Sequence, residues 1–134
     1  MGRDLAGALA ESVLPAEERL QFLSLCVGRS AEELARDAEG VASYVRYIER
    51  RSAADPTIDA DLARRVGSVL ASLLDGAGDR PFEERRLLAG AAAYFVLDHD
   101  AADDIGDIHG IDDDARVVRA LCHALGRDDL AHAL

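Results

Sequence analysis

Between Asp98 and Asp114 the chain places eight aspartates and not one arginine. Carboxylates at that density repel one another, and a hard divalent cation, which in the case of calcium takes roughly 6 to 8 oxygen ligands, relieves the repulsion by binding. The candidate ligands are Asp100, Asp104, Asp113 and Asp114, with His99 or His109 as a further donor, and calcium, magnesium or manganese is the ion that such oxygen donors suit. The spacing does not follow the EF-hand pattern. Aligned from Asp98, that loop would need glycine where Asp103 stands and a closing glutamate where His109 stands. The same residues also have a structural explanation. Asp112, Asp113 or Asp114 can accept hydrogen bonds from the free amides at the start of a helix and favour the positive end of its dipole. Asp100 and Asp104 can order the turn before it, or pair with Arg116 or Arg119.

A metal-dependent hydrolase would draw on the same four aspartates, and no other catalytic set competes with them. His99 beside Asp100 has the form of the His-Asp pair of metal-dependent phosphohydrolases, but that chemistry needs an upstream histidine and His99 is the first in the chain. Neither two histidines on one helical turn nor a glutamate followed three residues later by histidine occurs. Cys122 and His123 are adjacent, which on a helix sets them about 100° apart, too far round to act as nucleophile and base. No glycine-rich phosphate loop or serine elbow is present.

These residues must be positioned by helices, because apolar positions recur at helical spacing and no strand-like alternation or internal repeat is evident. The pattern predicts a first helix over Asp4 to Val13 and a second opened by Pro15, with Leu20, Leu23 and Val27 as its apolar positions and Gly28 as its end. Ser30 and Glu33 form a capping box for a third, striped by Leu34, Ala38, Val41, Tyr44, Val45 and Ile48. After a connection over Arg51 to Pro56, a fourth helix carries Leu62, Val66, Val69, Leu70, Leu73 and Leu74, pairs Asp61 with Arg65, and is broken by Gly76 and Gly78. Asp79 or Arg80 is expected to cap the fifth, whose apolar residues from Leu87 to Leu97 lie on nearly every side and make it the central helix. Gly106 and Gly110 interrupt the acidic segment, Asp112 to Asp114 begin a sixth helix with Val117, Val118, Leu121 and Leu125, and Leu130 to Leu134 add a final turn after Gly126.

Tyr94, Phe95, Val96 and Leu97, followed by Asp100, Asp104, Gly110, Asp113, Asp114 and Ala115, match in order and spacing a motif of a bacterial domain family. The stretch from Ala93 to Ala120 resembles the YkvA-like domain of unknown function. The resemblance implies a helix, acidic loop, helix unit with Tyr94, Asp100, Asp104, Gly110, Asp113 and Asp114 as its motif residues. It implies no activity. Where the family has proline this chain has Asp98, Asp103 and Asp107, and where it has aliphatics this chain has His99, Ala101 and Ala102. Many relatives carry an apolar version of the segment, suited to burial or to a membrane; here it is too polar for either, so no membrane-linked role carries over.

The 134 residues suit a single domain over 1–134, 49% hydrophobic but only 4% aromatic, so its core is aliphatic. The formal charge of −11 opposes binding to phosphate backbones or anionic lipid. That charge is local: outside the acidic segment 15 arginines face 18 acids. A nucleic-acid mimic needs carboxylates spread along a face, which the clustering opposes. Cys26 and Cys122 stand among apolar neighbours and read as buried free thiols of a reducing cytoplasm. The amino terminus lacks a signal-peptide core, and the longest uncharged apolar run, Leu87 to Leu97, is far below the roughly 18 residues a membrane span needs. The resulting expectation is an all-α compact bundle of five or six helices, with the acidic loop between the last two main ones. Its function reads as non-enzymatic and cytoplasmic, a protein-protein interaction or self-association module that meets a protein partner or a second copy through the exposed apolar edges of the first two helices. The rival reading is a divalent-metal-binding or metal-dependent hydrolytic domain.

Overall fold

The longest amphipathic stripe in the sequence builds the longest helix. The computed structural model of the chain describes residues 5–14, 16–101 and 110–134. In it α3 runs Ala31–Ala54, and Ser30 caps it as expected: the Ser30 hydroxyl accepts from the Glu33 amide, and the Glu33 carboxylate accepts from the Ser30 amide. Leu34, Val41, Tyr44 and Ile48 are buried, with Ala38 and Val45 half-buried beside them. The helix continues into the expected connection as far as Ala54, and the connection is thereby confined to residues 55–59.

Asp59 caps α4 (Ala60–Leu74) by accepting from the Leu62 amide at 2.9 Å, and all six of its expected core residues are buried. The short connection folds α4 back along α3, and Gly67 makes the approach close: a Cβ there would lie 2.5 Å from a methyl of Val45. Arg64 crosses to Glu49 at 2.7 Å, and Asp61 takes Arg65 at 3.2 Å. The helix stops where Gly76 adopts φ of 71° and a single 3-10 turn follows over Ala77–Asp79.

That turn overturns one expectation. Asp79 lies inside it, and α5 (Phe82–Ala101) starts with the Pro81 carbonyl accepting from Arg85, so neither Asp79 nor Arg80 is its cap. Pro81 has no N–H to satisfy and fits a helix entrance. As the all-round apolar pattern predicts, α5 is central: it packs against α1 (Leu5–Val13), α2 (Ala16–Leu25), α3, α4 and α6 (Gly110–Ala124). Tyr94 meets Phe22 edge-on at 5.8 Å and Phe95 meets Tyr44 edge-on at 4.8 Å, so two aromatic contacts fix α2 and α3 on this one helix.

The face that α2 turns to the core carries Phe22, a residue the apolar spacing did not single out. Phe22 and Cys26 are buried, whereas Leu20 and Val27 are exposed and Leu23 is half-buried. An aromatic ring buries more apolar area than a leucine, and turning Phe22 inward turns Leu20 outward. The helix also ends at Leu25, before Gly28. Arginines then tie the following stretch down: Arg86 donates to the Cys26 carbonyl at 2.8 Å and Arg85 to the Arg29 carbonyl at 3.2 Å, while Arg19 closes the end of α1 by donating to the Leu14 and Glu11 carbonyls. A one-turn helix, α7 (Asp128–Ala131), completes the chain after Gly126, whose φ of 74° and paired bonds from Gly126 to His123 and Arg127 to Cys122 close α6. The fold is all-α, with six main helices and no strand among the described residues. Among those residues no helix is long and apolar enough to cross a membrane.

Candidate functional site

The acidic segment is carried between the two helices expected to flank it. The α5 backbone continues through Asp98, His99 and Asp100 to Ala101, and α6 opens at Gly110, two residues earlier than Asp112. Gly110 is therefore the first residue of the helix instead of a breaker before it. Asp112 and Asp113 fall within its first turn, and Asp114 lies past that turn, so none of the three is the residue that precedes the helix as a cap. They still sit at the positive end of its dipole.

Of the four proposed ligands, Asp114 is the one whose side chain is described. It is 1% exposed, the one buried charged residue among those described, and it is engaged by an interaction within the protein. Asp100 and Asp113 have helical backbone but side chains outside the described part, as does His99; Asp104, Gly106, Asp107 and His109 lie outside the described residues altogether. Among the described residues no group of three or more His, Cys, Asp or Glu could hold a metal ion. Tyr94 is a core residue, buried against Phe22. Arg119 donates to the Leu134 carbonyl at 2.6 Å, and Arg116 is exposed and has a partner within the protein.

The Cys122 and His123 neighbours part as helix geometry requires. Cys122 is fully buried, and burial pushes its thiol up to about 11, away from thiolate chemistry. His123 faces solvent and places Nδ1 2.7 Å from Asp128 Oδ1. Cys26 is likewise buried, and neither cysteine is part of a disulfide.

A second feature of the surface concerns contact instead of catalysis. Three large apolar side chains are exposed among the described residues: Leu20 at 78%, Phe82 at 54% and Val27 at 49%. Two lie on the stretch from Leu20 to Gly28, and the third lies against it, since a Cβ on Gly28 would come within 2.5 Å of the Phe82 ring. Arg85 flanks that ring with its guanidinium 5.9 Å from the centroid. The expectation of an apolar edge on the second helix matches this placement. On the first helix Leu9 and Ala10 are buried, and the side chains of Leu5, Ala6 and Val13 lie outside the described part. Phe82 was not legible as exposed, although Gly28 opposite, having no side chain, leaves room for the ring. No family model, no curated protein and no solved structure matches the chain.

Proposed function

We propose that the chain is a non-enzymatic helical interaction module that meets a protein partner or a second copy through the patch of Leu20, Val27 and Phe82. The observation that carries this reading is the exposure of those three side chains beside a core that buries or half-buries every other large apolar side chain described. Exposing them costs apolar burial that a partner would restore, at about 25 cal/mol per Å². The patch is held in place, since Arg85 and Arg86 bond the carbonyls of the connection behind it. A cytoplasmic location suits a chain with two buried cysteines outside any disulfide. The test is light scattering and a pull-down with the wild type and with Leu20→Asp and Val27→Asp. These exposed positions should lose association or partner capture while thermal stability changes by less than about 0.5 kcal/mol. A wild type that stays monomeric and captures nothing, or variants that associate as the wild type does, would sink the reading.

The second reading is a divalent-cation site at Asp100, Asp104, Asp113 and Asp114. The crowding of eight aspartates between Asp98 and Asp114 favours it, because carboxylates at that density repel one another and a bound cation relieves the repulsion. Calorimetric titration with calcium, magnesium and manganese decides it: absence of both heat and thermal shift at millimolar ion removes the site.

A further inference from the structure

We propose that the groove between α3 and α4 seats α3 of a second copy, in an antiparallel dimer with two-fold symmetry. Two depressions of about 640 and 350 Å³ adjoin along these helices and share Ala38, Ser68 and Ala71, so they form one groove. Its α3 wall runs from Ala31 through Ala35, Ala38 and Ala42 to Glu49, a rise of about 27 Å. Steps of three, four and seven keep these positions on one side of the helix, as packing against a helical neighbour requires. Ala35, Ala42, Ser68 and Ala71 are exposed. Side chains this small admit a further helix at the short end of the roughly 8–10 Å range of interaxial distances.

The charges beside the groove select which helix fits it. Glu39 and Arg46 are exposed on one side of α3, two helical turns and about 10.5 Å apart, too far to pair with each other. Neither has an ion-pair partner among the described residues; Arg46 donates only to the Ser43 hydroxyl, at 3.2 Å. The ends of the groove repeat this order. Glu32 and Asp75 at one end and Arg50 at the other are exposed and also lack ion-pair partners among the described residues. The other acids of α3 are taken: Arg29 holds Glu33 and Asp37, and Arg64 holds Glu49. Arg36, the remaining charge of the acidic half, lies about 60° farther round the helix than Glu39. A helix that fits must therefore run from basic to acidic where α3 runs from acidic to basic. Turned end for end about an axis near Ala42 and Ser43, α3 itself has that order. The axis sets Glu39 against the second copy's Arg46 and Arg46 against the second copy's Glu39, so the favourable contact is made twice.

The full chain, Glu39→Arg and Arg46→Glu are compared by sedimentation equilibrium, with circular dichroism showing that each exposed substitution leaves the helices intact. The wild type is expected to dimerise, and each variant to dimerise at least about tenfold more weakly, because like charges then face each other across the axis. A mixture of the two variants, one of them carrying a fluorophore, should form a heterodimer of about wild-type affinity, since every reversed charge then meets an opposite one. A wild type that is monomeric at millimolar concentration, or a mixture that associates no better than its components, overturns the proposal. Dimers that survive unchanged in both variants overturn it as well and leave self-association to the patch of Leu20, Val27 and Phe82, so the two readings fail separately.

Discussion

Two glycines in helix interiors respond oppositely to the same substitution. Gly90 lies in α5 where the end of α2 crosses it, and an added Cβ would overlap the Cys26 sulfur and come within 3.2 Å of the Cys26 Cα. A thiol can rotate, but the Cα is backbone, so α2 must lift away from α5. Helix propensity alone favours Gly90→Ala by about 1 kcal/mol. Overpacking of a close contact costs about 1–3 kcal/mol, and the Arg86 bond to the Cys26 carbonyl at 2.8 Å is strained by the same movement, worth roughly another 1.5 kcal/mol. The expected result is a net loss of about 1–3 kcal/mol, read in urea as a midpoint lowered by roughly 1 M. Gly40, inside α3, has nothing within 4 Å of the point where a Cβ would stand, so Gly40→Ala should gain about 0.5–1 kcal/mol. Adding Cys26→Ala to Gly90→Ala should recover part of the loss, with a coupling of at least about 0.5 kcal/mol. If Gly90→Ala gains stability as Gly40→Ala does, propensity governs both sites and α2 does not approach α5 this closely.

Two further outcomes follow from single side chains. Cys122 should resist alkylation in the folded protein at mildly alkaline pH and react after unfolding; because its thiol is raised from 9.0 to about 11, the unfolded chain loses the proton first, and stability should fall as pH rises across that interval. Ser30→Ala should cost about 1 kcal/mol in a thermal melt. The bonds from Ser30 hold the Glu33 carboxyl below its ordinary range, a contribution present above the unfolded value and lost as pH falls, so the variant should also show a weaker decline of stability in acid.

The helices were legible because their signals are local. The Ser30 and Glu33 box, the stripe of α3 and the all-round apolar face of α5 each depend on residues within one helix, and each is found as the spacing predicts. What failed depended on other helices. Leu20 and Val27 have the right period to be core, and only the competition with Phe22 for the groove on α5 turns them outward. The entrance of α5 was misplaced because a 3-10 turn uses Asp79, a residue type that equally suits a cap. Of the acidic segment, position along the chain was readable and side-chain grouping was not, since ligand geometry is a property of three dimensions.

Helix electrostatics divides the acidic segment into two unequal parts. Asp112 and Asp113 occupy the first turn of α6, where each carboxylate gains about 0.3–1 kcal/mol from the dipole and needs no cation to explain it. Asp98 and Asp100 occupy the last turn of α5, where the same dipole opposes them by a similar amount, with Asp103 and Asp104 following in sequence. The end of α5 is therefore the place to test for an external countercharge. Asp100→Asn separates the explanations by sign. In chelator, a carboxylate merely opposed by the dipole yields a variant more stable by about 0.3–1 kcal/mol. With calcium, magnesium or manganese added, a cation-binding wild type gains stability as ligand saturates the folded state, about 2.7 kcal/mol at a hundredfold excess over Kd, and overtakes a variant that lacks the ligand. A variant destabilised in chelator means that Asp100 serves a group of the protein itself, and a wild type whose Tm ignores all three ions leaves the segment without a cation.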